Sequence, residues 1–324
     1  MYSMRPLLRK RGKPEVVPHF YALCPIESDR GFCVVRWVTM TKETRGVIFV
    51  ALSAGLYSIG GLCIKLIPWN GMSINGARTA IALLVIGAYL LWAKHPLRFN
   101  RWIFFGALCV SVTNSLFSVA NKMTTAANAI VLQFTVPIFV MLFSFLFFGR
   151  KPERLDIGAC VVVFGGIVFF FLDSLEMGGG AGNLIALLSG VTYAGVFLLR
   201  DMPNSDAISS VFWGDLISAL TGLPFLLQEQ VFTPTALTSL VIMGAFQVGL
   251  AYVFLCIGLN TTPPVTASLI SGIEPILNPI LVAIFYKEQV GTYAIIGAVI
   301  VVCGVIFYNV QKARGDRTPA SKSH

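Results

Sequence analysis

Ten apolar runs limit what this chain can fold into. They lie at approximately 46–66, 73–93, 102–120, 126–148, 155–173, 182–199, 206–227, 236–257, 264–286 and 292–310. A bilayer core about 30 Å thick is crossed by about 20 apolar residues in a helix. The runs are too long and continuous for strands, and a β-barrel would alternate apolar with polar residues. The expected fold class is an all-α membrane protein with ten transmembrane helices. Charge agrees: 12% of the 324 residues are charged, against about 25% in a soluble domain.

The charges also suggest an orientation. Ten spans put both termini on one side. With that side cytoplasmic, the inner loops hold Lys94, Arg98, Arg101, Arg150, Lys151, Arg154 and Arg200, and the C-terminal tail adds Lys312, Arg314, Arg317 and Lys322. The outer loops hold Lys122 and Lys287 with the acids Asp173, Glu176 and Glu229. Cytoplasmic loops carry the Lys/Arg excess, so both termini are expected inside a cell membrane (plasma or inner). The net charge of +9 then needs no nucleic-acid partner.

The chain repeats itself. Shifted by 138 positions, residues 105–170 lie on 243–308 without a gap, pairing Gly106 with Gly244, Ala129 with Ala267, Pro137 with Pro275 and Gly166 with Gly304. At a shift of 136, "GVIFVALSAGLY" lies on "GNLIALLSGVTY", pairing Ser53 and Tyr57 with Ser189 and Tyr193. Five spans per half is an odd number, so the second half enters the membrane from the opposite side. Two inverted five-helix repeats are an arrangement found in secondary transporters, with the substrate site near the midplane between the repeats. The expected organisation is a cytoplasmic extension at 1–44, a first repeat at 45–176, a second at 182–310 and a basic cytoplasmic tail at 311–324. The extension has no apolar core of a secretory signal. It reads either as a disordered tail or as a mis-assigned start ahead of Met40.

These features resemble the drug/metabolite transporter superfamily, in its EamA-like group. "LYSIGGLCIKL" with Lys65 is similar to that family's first helix, and "INGARTAIALL" with Arg78 to its second. "AANAIVLQFTVPIFVMLFSFLFFG" and "VTASLISGIEPILNPILVAIFYKE" resemble the fourth and ninth. The family commonly ends both of these helices in Gly-Glu. Here the fourth ends in Gly149-Arg150, so no symmetric acidic pair is assumed. The resemblance implies a ten-helix transporter and suggests export of amino acids or related metabolites.

Residues that could carry this function are polar groups in apolar runs. Lys65 and Arg78 sit toward the outer ends of their spans, where a structural role weighs more than substrate contact. Asp215 and Glu274 are near the middle of theirs, where acids usually face a cavity and often relay protons. Ser271, Glu274 and Asn278 would share one face of a continuous helix. Pro275 and Pro279 would break it, and Pro137 is the equivalent break in the first repeat. Gln133, Asn114, Tyr252, Trp213, Tyr57 and Tyr193 complete the candidate substrate or proton site. Ser53, Ser118 and Gln247 also lie at central depth and are further candidates for lining the cavity.

Catalytic signatures (GxxxxGK[ST], HExxH, GxSxG) are absent. The three histidines, His19, His95 and His324, lie in tails or a loop. No enzymatic activity, metal or cofactor is expected. The expected partners are a small-molecule substrate, the bilayer and protons. The leading expectation is a secondary transporter working by alternating access. The alternative is a membrane scaffold or sensor without transport activity.

Overall fold

A computed structural model describes residues 42–64, 66–124, 126–170, 172, 180–286 and 291–315. Lys65, most of the 1–44 extension and the end of the tail lie outside the described residues. Among those described there is no strand, as the apolar runs require.

The first half holds α1 (Lys42–Tyr57), α2 (Gly60–Ile64), α3 (Gly71–Trp92), α4 (Arg101–Met123), α5 (Ala126–Gln133), α6 (Val136–Phe148) and α7 (Arg154–Phe170). The second holds α8 (Gly180–Leu198), α9 (Ala207–Leu226), α10 (Pro234–Ile242), a π-helical segment (Met243–Leu250), α11 (Ala251–Leu259), α12 (Pro264–Ser271), α13 (Glu274–Tyr286) and α14 (Thr292–Gly315). Among the described residues, seven helical stretches are long and apolar enough to cross a membrane: Gly71–Trp92, Arg101–Met123, Asn128–Phe148, Gly180–Asp201, Ala207–Leu226, Pro234–Leu259 and Ile295–Lys312. The other three apolar runs are helical but shorter as single helices. The run at 46–66 breaks after Tyr57, α7 has 17 residues, and 264–286 splits into pieces of 8 and 13. Leu91, Trp92, Leu84 and Phe147 stand exposed, a surface suited to lipid and not to water.

Local signals set several helix ends. Asn70 and Asn100 are N-caps, each side-chain oxygen accepting two backbone N–H groups of the next turn, which supplies donors the helix leaves unpaired. Gly149 ends α6 with φ 64°, a left-handed conformation that a Cβ disfavours. Gly149→Ala is expected to cost about 1 kcal/mol, seen as a lower thermal midpoint in detergent. An unchanged midpoint would show that this turn relaxes freely. Arg150, which stands where the family has an acid, pairs with Asp201 at 2.5 Å. It thereby ties the end of α6 to the turn after α8.

Helix pairing follows the repeat. α3 packs on α9, α7 on α14, α4 on α8 and α9, and α1 on α11. α3 and α9 run antiparallel: Trp69 Nε1 donates to Val231 O, Gly76 meets Gly222, and Trp213 Nε1 donates to Arg98 O. α7 and α14 do the same, from Asp156 against Tyr308 to Phe170 against Gly297. The proline breaks fall at equivalent places. α5 ends at Gln133 and α6 starts at Val136; α12 ends at Ser271 and α13 starts at Glu274. Both pairs differ by 138, because Pro137 and Pro275 each occupy the first turn of the restarted helix, where a missing N–H costs nothing. Pro279 falls within α13, which continues past it.

Candidate functional site

The breaks bring backbone and polar side chains to the centre of the molecule. Ser58, just past the end of α1, donates to the carbonyl of Glu274 at 3.4 Å. Gly190 of α8 lies against the α5/α6 break, where an added Cβ would sit 2.7 Å from Gln133 O. Around these junctions is a cavity lined by Tyr57, Arg78, Thr113, Asn114, Phe117, Gln133, Tyr193, Gln247, Val248, Tyr252 and Glu274. The mixed aromatic and polar lining is of the kind that binds small organic molecules.

Two hydrogen bonds organise the cavity floor. Tyr252 Oη donates to Asn114 Oδ1 at 3.2 Å, and Asn114 Nδ2 donates to Asp215 Oδ1 at 3.3 Å. Asn114 and Tyr252 are equivalent positions of the two repeats, 138 residues apart. A direct contact between equivalent side chains puts the axis relating the repeats at the cavity. Tyr57 and Tyr193, the other repeat-related pair, both line it, and Tyr57 meets Tyr252 edge to face at 5.6 Å.

Arg78 is 3% exposed. Its Nε and Nη2 donate to Asn75 Oδ1 at 3.3 and 3.1 Å, Nη2 also donates to Ser118 Oγ at 3.2 Å, and Nη1 reaches Gln247 Oε1 at 3.5 Å. The Glu274 side chain faces the cavity, and no described side chain lies within hydrogen-bond distance of its carboxyl. Tyr57 Oη and Asp215 Oδ2 are two of the buried side-chain atoms that have no hydrogen-bond partner among the described residues. Buried polar atoms are rarely left so, and of the two residues Tyr57 lines the cavity.

Of the residues expected at the site, Glu274, Gln133, Asn114, Tyr252, Tyr57 and Tyr193 line the cavity, and so does Arg78. Asp215 lies behind Asn114, fully buried. Three candidates fall elsewhere. Trp213 donates to Arg98 O and packs edge-on against Phe99, at the loop end of α9. Ser271 was expected on the face of Glu274, but Gly272 and Ile273 close two i→i−3 turns between them, which resets the helical phase. Asn278 keeps the phase of Glu274 but sits one turn, about 6 Å, further along α13, beyond the lining. Lys65 lies outside the described residues.

Sequence reasoning did not single out Thr113, Phe117 and Val248; Gln247, expected at central depth as a cavity-lining residue, does line the cavity. Phe117 lies three residues after Asn114, so helical spacing could have found it. Gln247 could not be found this way. Gln247 and Tyr252 are five apart, which an α-helix would place roughly 140° from one another. Gln247 lies in the π-helical segment Met243–Leu250 and Tyr252 just beyond it in α11, and both line the cavity. The equivalent part of α4 is ordinary α-helix.

The profile of the EamA-like transporter family matches residues 44–172 and again residues 180–310. An "Uncharacterized transporter" of Clostridium kluyveri is 25% identical over 300 residues, 84% of this chain and 96% of that protein. Mouse "Solute carrier family 35 member G1" is 25% identical over 128 residues, 38% of this chain and 35% of that protein. One crystal structure superposes with a TM-score of 0.72 at 17% identity, covering 85% of this chain and all of the other. That similarity is one of fold.

Proposed function

Because the chain belongs to the EamA-like transporter family, a family of multi-pass membrane proteins, we propose that it is a secondary transporter exporting amino acids or related small metabolites by alternating access. The observation that carries this reading is the hydrogen bond between the equivalent residues Asn114 and Tyr252 at a polar cavity. A site on the axis between two repeats is what a rocking-repeat mechanism needs, because each repeat can close one side of it. The antiparallel contacts of α3 with α9 and α7 with α14 support the inverted relation of the halves. On this reading α1 with α2, α5 with α6, and α12 with α13 each serve as one interrupted span, and α7 as a further span. The total is ten, with both termini cytoplasmic and 45–176 and 182–310 as the two units.

Glu274 is the proposed proton-linked acid. It faces the cavity at a helix break with no hydrogen-bond partner for its carboxyl among the described residues, so a proton or a solute cation can compete for it. Asp215 reaches the same cavity through Asn114 and is the second candidate. The test is a metabolite screen in proteoliposomes, with and without an imposed pH gradient. Flux of an amino acid or related solute is expected, accelerated by the gradient. Folded protein that moves no solute would leave the scaffold or sensor reading in its place.

A further inference from the structure

Arg78 has no part in the proposed transport cycle, yet it is a buried guanidinium on the cavity wall. A guanidinium removed from water needs an anion or a full set of acceptors. Arg78 has neither. Its three acceptors, Asn75, Ser118 and Gln247, are neutral, and the Gln247 bond is at the 3.5 Å limit of a hydrogen bond. No ion pair among the described residues includes it. Two carboxyls are in the neighbourhood, but Asp215 turns its Oδ1 to Asn114 and Glu274 lies on the cavity wall. Neither comes within 4.0 Å of the guanidinium.

The geometry also says which edge is open. Asn75 holds Nε and one Nη2 hydrogen, and Ser118 takes the other; Ser118 Oγ in turn donates to Asn114 O at 2.8 Å. That side of the fork is fixed. Nη1 has only the long contact to Gln247, whose position depends on the π turn. A guanidinium edge with weakly held N–H groups facing a cavity matches a carboxylate.

We infer that Arg78 is the carboxylate-recognition residue of this cavity, binding small organic acids or amino acids through its Nη1 edge. The apolar body of the solute packs among Tyr57, Phe117 and Tyr193. This inference rests on the transporter reading and narrows its substrates to carboxylate-bearing solutes.

The test uses the full-length protein in detergent and a panel of small carboxylates: L-phenylalanine, L-leucine, L-glutamine and 3-phenylpropionate, each paired with its primary amide. Binding is read from the rise in thermal midpoint with concentration, which follows ligand linkage. At least one acid is expected to bind at least tenfold more tightly than its amide, and Arg78→Gln is expected to erase that difference. The 3-phenylpropionate arm shows whether the α-amino group is needed as well. Should Arg78→Gln not fold, phenylglyoxal labelling of wild-type Arg78, followed by mass spectrometry, gives a second measurement. The bound acid is expected to slow labelling at least tenfold, and its amide is not. Amides that bind as well as acids, a panel in which no acid binds, or equal labelling rates would each overturn the inference. If the proteoliposome screen then finds a transported amine or sugar, the transporter reading survives and only the role of Arg78 is lost. Absence of all flux removes the transporter reading itself.

Discussion

Glu274→Gln is expected to abolish solute accumulation driven by a pH gradient while leaving downhill exchange running. Glutamine keeps the size of the side chain and its ability to hydrogen-bond, so the α12/α13 break and the cavity wall should survive. What it loses is the proton. With one proton moved per solute, a gradient of one pH unit supports about a tenfold concentration ratio. In the variant that ratio should fall to about one, with counterflow exchange within a few-fold of wild type. Full gradient-driven accumulation by Glu274→Gln would rule Glu274 out, and Asp215→Asn in the same assay then tests the second acid. Wild-type flux that ignores the gradient altogether would mean uncoupled facilitation.

Gly222→Val is expected to have the largest effect on stability. α3 and α9 cross so closely at Gly76 and Gly222 that a Cβ at 222 would lie 2.5 Å from Gly76 Cα and 2.7 Å from Gly76 N. These are backbone atoms on a helix held by its own hydrogen bonds, so they cannot step aside as a side-chain tip can. Overpacking of this kind costs roughly 3 kcal/mol, read as a lower unfolding midpoint in detergent. The matched control is Gly158→Ala in α7, where an added Cβ meets nothing within 4 Å. That change should be neutral or stabilising by up to about 1 kcal/mol through helix propensity. A Gly222→Val protein that melts with wild type would mean that the two repeats do not cross at this point.

The most legible part of the fold was the repeat. A shift of 138 placed both proline breaks at equivalent positions, because a proline in the first turn of a restarted helix sets the break locally. The same shift paired Asn114 with Tyr252, which the structure joins by a hydrogen bond. Helical phase was less legible wherever the helix was not continuous. Ser271 was expected beside Glu274, but two i→i−3 turns intervene; Gln247 reaches the cavity from a π-helical segment that apolar periodicity does not mark. Trp213 looked central from its place in an apolar run, whereas its indole N–H bonds to a loop carbonyl at the helix end.

From the amino-acid order alone came the all-helical membrane class, the two halves, the equivalent breaks and the polar residues at mid-depth. These follow from hydropathy, proline stereochemistry and internal similarity, all local along the chain. Tertiary structure alone decided which polar groups meet. It turned Arg78 into the cavity with neutral acceptors only, left the Glu274 carboxyl without a hydrogen-bond partner among the described residues, and moved Ser271 and Trp213 away. The physical reason is that a side chain's neighbours depend on helix phase and crossing. One π segment or one tight turn shifts that phase by more than apolar periodicity can register.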